Sequence, residues 1–419
     1  MKRLINFRRG GNAVSVLKHN TEFLGNAFLP QKALVPLTID GVRARQVVSY
    51  GQYVREGEII ARAVDMNATN VHAPIPGIVG NACAFKTDYG SYFECLPILL
   101  EGQFNLHRKL DSNYPWRNTS LIELLHIIES KSLIVTEKPF ASLATKLREA
   151  VRLNIRNLQF ALFDFDKSCG LEGELLKNFL FEILEGLAII ARILESTTVE
   201  IFYTDVIAKG VKEKILQIFD FTEVVFIYAE NTYPFYDITK TRAKQNFIVL
   251  PSTAIYVYEA IVKNRPFVSS YVLFSGRALI KPQLLKVRFG TLIGSLLEEC
   301  GGVKFGKVSL VINGFLNGVL SESFDTPINK TIKSITVVPS KVIEKFVTLP
   351  CNNCGMCLNV CPMGLDPAIL ISKIKKNNLT EDDILQLKAC IKCNLCSSCC
   401  SSRIPVADLI AKAKEKIEI

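Results

Sequence analysis

Two cysteine runs near the C-terminus constrain this chain more than any other feature. The first reads C-N-N-C-G-M-C-L-N-V-C-P, with thiols at Cys351, Cys354, Cys357 and Cys361 and Pro362 behind them. The second reads C-I-K-C-N-L-C-S-S-C-C, with Cys390, Cys393, Cys396 and Cys400 at the same spacing and Cys399 as an extra thiol. C-x2-C-x2-C-x3-C-P is the bacterial iron–sulfur run. Three cysteines two residues apart curl around one [4Fe–4S] cube. The fourth lies beyond that loop's reach and ligates the other cube. The runs therefore predict Cys351, Cys354, Cys357 and Cys400 on one cube, and Cys390, Cys393, Cys396 and Cys361 on the second. Pro362 is expected at the first position of a helix. The competing readings are zinc ribbons or buried free thiols. Zinc ribbons need two pairs separated by a longer insert, and two consecutive C-x2-C steps do not supply one. Cys399 and Cys400 compete for the last ligand position. The x3 spacing of the first run favours Cys400, although Ser401 stands where a proline would follow.

Nine of the 13 cysteines lie beyond residue 350, which suits metal ligands in a reducing compartment rather than a disulfide framework. Cys83, Cys95, Cys169 and Cys300 are scattered and read as small buried apolar residues. The chain has 419 residues, enough for several domains, and 49% of them are hydrophobic, enough for real cores. The net charge of +10 is spread rather than blocked. No basic stripe with interleaved aromatics points to nucleic acid. The N-terminus, M-K-R-L-I-N-F-R-R-G-G, lacks the apolar core of a signal peptide, and no run of about 18 apolar residues predicts a membrane span.

Residues 30–100 read as short strands punctuated by glycines, as in V-V-S-Y-G-Q-Y-V-R-E-G-E-I-I-A, followed by V-H-A-P-I-P-G-I-V-G. Together they resemble the barrel-sandwich hybrid of lipoyl and biotinyl domains. The hairpin near V-D-M-N-A-T-N has no attachment lysine, so a structural sandwich is expected, with His72 packed rather than ligating. Residues 120–265 alternate helix and strand: helices over 121–130, 174–195 and 208–218, and strands at 160–163, 199–203 and 223–228. Residues 270–339 return to strands around one helix near 292–300, the layout of a small β-grasp domain. A helix from Val406 closes the chain.

The chain resembles the RnfC family, which supplies one subunit of the Rnf (Rsx) electron transport complex. The matching stretches are F-R-R-G-G (Phe7 to Gly11), H-A-P-I-P-G-I-V, Gln245 with Asn246, A-I-Y-V-Y-E-A-I, V-R-F-G-T (Val287 to Thr291), C-P-M-G-L (Cys361 to Leu365) and S-R-I-P (Ser402 to Pro405). The resemblance implies a multidomain α/β plus β fold. Its parts are a barrel-sandwich hybrid at 1–115, an α/β domain like the flavin subunit of respiratory complex I at 116–268, a soluble-ligand-binding (SLBB-like) β-grasp domain at 269–339, and an α-helical two-[4Fe–4S] ferredoxin domain at 340–419. It also implies a peripheral position on the cytoplasmic side of the bacterial inner membrane. The partners would be integral-membrane and electron-transfer subunits of an ion-translocating oxidoreductase.

One stretch departs from that family. A glycine-rich run there approaches the flavin and nucleotide phosphates, because a backbone without a Cβ can come close and helix-start N–H groups bind phosphate. The corresponding stretch here, Ser132 to Leu147, contains no glycine and carries Glu137. Lys146 is left to hold an FMN phosphate if flavin binds. An acidic E-C-E-P-like segment is replaced by D-F-D-K-S-C, with Asp164 and Asp166 as surface or helix-cap acids. The expectation is a domain that kept its fold and lost FMN, and with it NADH oxidation. Gly314 and Gly318 of V-I-N-G-F-L-N-G are expected to serve turns. Three functions compete: an electron relay through two cubes; a complete NADH-oxidising flavoenzyme, of NADH:ferredoxin or cobalamin-reductase type; and a docking scaffold with structural clusters. Stoichiometric FMN marks the second. Cluster loss without a redox phenotype marks the third.

Overall fold

A computed structural model of the chain describes residues 11–12, 22–39, 42–66, 68–86, 92–102, 114–137, 140–204, 209–229, 232–233, 246–304, 306–340 and 348–418. Phe7 to Gly10, Gln245 and Asn67 lie outside them.

Alternation and glycine turns build the N-terminal sandwich. One sheet joins Lys32–Pro36, Tyr53–Val54, Gly77–Val79, Cys83–Lys86 and Tyr92–Leu100. The facing sheet joins Thr38–Ile39, Val42–Gln46, Ile59–Ala63 and Val71–His72. Val35, Leu37, Val54, Ile60, Val79 and Ile98 fill the space between. His72 is buried there. Cys95 is buried as expected, but its cross-strand neighbour Cys83 is exposed. Cys83 begins an edge strand that pairs only with Tyr92–Leu100, so no layer covers it.

The hairpin that would carry a swinging lysine is docked. The Thr145 hydroxyl donates to the Met66 carbonyl. Lys330 Nζ donates to Thr69 Oγ1 at 2.9 Å and to the carbonyls of Asn70 and Ser132 at 3.0 Å each. Lys330 is buried, and desolvation pushes its ammonium down to about 7. The unfolded chain holds that proton up to about pH 10.4. Between those values the unfolded state binds more protons, so stability rises with pH. Wild type is therefore expected to gain roughly 2–4 kcal/mol on Lys330→Met between pH 7 and pH 10. Parallel denaturation midpoints for the two proteins across that range would refute this.

The α/β layer follows the expected order. Ser120 caps α1 (Leu121–Ser130) and Ser142 caps α2 (Leu143–Arg152), each accepting from a backbone N–H three residues on. Then come α3 (Leu171–Ile193), α4 (Lys209–Ile218) and α5 (Pro251–Ile261). The four strands are parallel, in the order Glu223–Tyr228, Thr198–Tyr203, Asn157–Ala161, Asn246–Val249. Helices α3 and α5 pack closely because residue 186 is glycine: a Cβ there would lie 1.9 Å from the Ala254 carbonyl oxygen.

A mixed six-stranded sheet follows, ordered Glu22–Asn26, Gln283–Arg288, Ser269–Ser275, Ser334–Pro339, Val308–Ile312, Val319–Ser321, with α6 (Ile293–Glu299) in the same unit. Its first strand comes from near the N-terminus and pairs in parallel with Gln283–Arg288. This sheet and the α/β layer share one core, from Leu158 and Leu187 through Val272 and Leu284 to Val337. The chain ends in α7 (Met356–Asn359), α8 (Pro367–Lys375), α9 (Glu381–Ala389), α10 (Leu395–Ser398) and α11 (Val406–Glu418). Among the described residues no helix is long and apolar enough to cross a membrane.

Candidate metal centre

The two cysteine runs fold as copies of one unit. Each backbone landmark of the first recurs 39 residues on, as Cys351 recurs at Cys390. Left-handed residues stand at Asn353 (φ 54°) and Lys392 (54°), at Gly355 (70°) and Asn394 (64°), and at Gly364 (66°) and Arg403 (57°). Helix α7 recurs as α10, and α8 as α11. A lysine and an arginine at positive φ are uncommon. Their recurrence at matched places marks a loop shape that the fold enforces.

Pro362 does not begin a helix. The chain turns after Cys361, passes left-handed Gly364, and starts α8 only at Pro367. Asp366 supplies the cap, its side chain accepting from the N–H groups of Ala368 and Ile369 at 3.1 Å each. A capping acid followed by proline outcompetes a proline that directly follows a turn.

The thiols gather in two groups. Cys351, Cys354, Cys357 and Cys400 line one cavity of about 240 Å³, together with Ile371, Lys375 and Ile404. That is the space of roughly eight waters. The Cys354 thiol is held below its ordinary value by the Met356 N–H and the Ser401 hydroxyl. Cys400 Sγ accepts from the Ile404 N–H at 3.4 Å. In the second group, Cys396 is pushed up by burial and then by the neighbouring thiols of Cys393, Cys390 and Cys361. Cys393 is raised to about 11 by burial, against the Leu395 N–H that faces it as Met356 faces Cys354. Among the described residues no three His, Cys, Asp or Glu side chains converge closely enough for a single metal ion. Four thiolates around one zinc stand about 3.8 Å apart, given Zn–S of about 2.3 Å. One thiolate per corner of a four-iron cube stands farther out.

Cys399 belongs elsewhere. Its counterpart in the repeat is Val360, and both are buried in one small apolar cluster with Leu395 and Leu316. Burial raises its thiol to about 12, with Cys357 and Cys400 adding to the rise.

From the glycine-free stretch Ser132 to Leu147, Thr136 reaches the N-terminus of α5. Helices α3 and α5 direct their N-termini at a buried acidic knot. Asp164 accepts from the N–H groups of Glu172 (3.0 Å) and Gly173 (3.1 Å), capping α3. Glu172 accepts from the Ser252 N–H and hydroxyl at 2.7 Å each, at the start of α5. Lys333 Nζ reaches Glu172 at 2.9 Å. Thr136 closes the knot through the hydroxyls of Ser252 (2.7 Å) and Thr253 (2.6 Å). Burial, and then the Glu172 carboxylate, raise Asp164 to about 7. Both helix N-termini thus already face the chain's own carboxylates, so these residues do not fit a flavin phosphate. Lys146 stands apart, on the partly exposed face of α2, paired with Glu149 at 3.4 Å. Asp164 is a cap but not a surface acid, being buried. The spacing of the sequence pointed to none of Glu172, Ser252 or Lys333, because they meet across 80 to 161 residues.

Comparison with known proteins adds a family. Residues 7–103 match the RnfC barrel sandwich hybrid domain. The C subunit of the proton-translocating ferredoxin:NAD(+) oxidoreductase complex of Clostridium ljungdahlii is 23% identical over 82% of this chain and 78% of its own length. The C subunit of the ion-translocating oxidoreductase complex of Rhodobacter capsulatus is 23% identical over 88% of this chain and 75% of its own length. That of Methanosarcina acetivorans is 24% identical over 88% and 86%. The chain thus carries a match to the RnfC barrel-sandwich domain at residues 7–103 and is similar over most of its length to the C subunits of ion-translocating oxidoreductase complexes.

Proposed function

We propose that this chain relays electrons through two [4Fe–4S] cubes as the RnfC-type subunit of a membrane-associated ion-translocating oxidoreductase complex. The observation that supports the reading is the repeated cysteine loop, with Cys351, Cys354, Cys357 and Cys400 on one cavity and Cys361, Cys390 and Cys393 near Cys396. Cys351, Cys354, Cys357 and Cys400 would hold one cube, and Cys390, Cys393, Cys396 and Cys361 the other. Bound there, cubes supply one-electron transfer. The chain's own part is to aim N–H groups at sulfur, from Met356 at Cys354, Leu395 at Cys393 and Ile404 at Cys400. It also keeps the thiols of Cys357, Cys361, Cys390, Cys393, Cys396 and Cys400 partly out of water, while Cys351 and Cys354 are exposed. Both features tune the potential of such a centre.

The names of the relatives support assembly with other subunits of such a complex. The chain would sit peripherally on its cytoplasmic side, beside integral-membrane and electron-transfer subunits. The filled acidic knot argues that electrons reach the cubes from a partner rather than from NADH through an FMN held here. Anaerobically purified protein is expected to carry about eight irons and eight sulfides and no FMN, as two cubes require. Zinc in place of iron would overturn the relay. One FMN per chain would restore the flavoenzyme reading.

A further inference from the structure

The loop Asn313 to Gly318 joins three parts of the molecule, and nothing in the cysteine spacing points to it. At one end it is tied to the α/β layer. The Phe315 N–H donates to Ser168 Oγ at 2.6 Å and the Leu316 N–H to Asp166 Oδ2 at 3.1 Å. Asp166 in turn accepts from the Ser168 backbone N–H at 3.0 Å. Residue 314 must be glycine for this approach: its φ is +90°, and a Cβ would lie 2.5 Å from Asp166 Oδ2. At the other end the loop enters the cysteine domain. Asn394 Nδ2 donates to the Leu316 carbonyl at 2.6 Å. The Leu316 side chain is buried in one cluster with Val360, Leu395 and Cys399, and Met356, Cys357 and Cys393 pack against that cluster. One leucine from outside the domain thus joins a cluster drawn from both halves of the repeat, and a predicted ligand of each cube packs against that cluster.

The repeat itself shows that this contact is an addition. Asn394 corresponds to Gly355, which has the same left-handed backbone and nothing within 4 Å of a built Cβ. The loop shape therefore needs only a residue that tolerates positive φ, and asparagine is a common choice. The side-chain amide adds the bond to Leu316.

We propose that Leu316 is a positioning residue for the two cubes: it seats the cysteine domain on the rest of the chain and keeps water from the sulfurs of Cys357 and Cys393. The inference rests on the two-cube reading. A cube with four thiolates becomes more negative when reduced. An apolar wall disfavours that added charge, and water stabilises it. Admitting water at Leu316 should therefore raise the reduction potential.

The test is a redox titration followed by electron paramagnetic resonance on anaerobic full-length protein, with iron and sulfide measured on the same samples. Leu316→Gln opens the seat. Asn394→Gly copies Gly355 and removes only the bond to the loop. The expected result is an upward shift of at least tenfold in the reduction equilibrium of one cube in Leu316→Gln, about 59 mV for one electron, with a smaller shift the same way in Asn394→Gly. Loss of iron from either variant, with about eight irons in wild type, also supports the seat. Both variants keeping wild-type iron and wild-type potentials would overturn it. A wild type without iron refutes the relay itself, and the proposal falls with it.

Discussion

Cys400→Ala is expected to halve the iron, from about eight to about four per chain, while Cys399→Ala keeps about eight. The two thiols are neighbours in sequence but stand in different surroundings. Cys400 lines the cavity with Cys351, Cys354 and Cys357, and its sulfur accepts a backbone N–H. Cys399 occupies the place that Val360 holds in the other half, inside an apolar cluster. A cube that lacks one thiolate loses the bonding at that iron, and metal binding of this kind generally contributes folding energy. The remaining iron should be held by Cys390, Cys393, Cys396 and Cys361. Cys361→Ala should remove the complementary half. Iron lost from Cys399→Ala and retained in Cys400→Ala would reverse the assignment.

Lys333→Met should destabilise the central core by about 3–5 kcal/mol, the cost of breaking a buried ion pair from one side. Glu172 is 2% exposed on its side chain and Lys333 16%. Burial alone would depress the Lys333 ammonium, and the Glu172 carboxylate holds it up instead. Removing the cation leaves Glu172 beside Asp164 in a dry site. The double variant Lys333→Met with Glu172→Gln should recover much of the loss, because the carboxylate that Lys333 paired with is gone, the N–H groups of residues 172 and 173 still hold Asp164, and Ser252 still finds an acceptor. Denaturant midpoints decide this. A double variant no more stable than Lys333→Met would show that the acidic knot is not held by charge. Neither variant touches the cysteine loops, so iron content should stay unchanged in both.

Much was legible before any coordinates. The span 121–130 reads as helix and 223–228 as strand, with the boundaries the structure gives. Helix α3 begins three residues earlier than its apolar pattern suggests, because Asp164 caps it from a distance. The strand Gln283–Arg288 escaped notice, as did its pairing with Glu22–Asn26, since no local signal reports a partner more than 250 residues away. Cys83 read as buried because cysteine usually is. Only the sheet order shows it on an uncovered edge.

The sequence by itself determined the thiol spacing, the repeat that makes two sites of one design, and the absence of glycine where a flavin loop would need it. Those are local properties, set by residue type and by a few backbone angles. The tertiary structure decided which of two adjacent cysteines faces the cavity, which carboxylates meet the N-termini of α3 and α5, and that Leu316 shares a buried cluster with both halves of the repeat. Each of those depends on residues far apart in the chain meeting in a close-packed interior. Hydrogen bonds and apolar contacts across such distances leave no mark in the spacing of either partner.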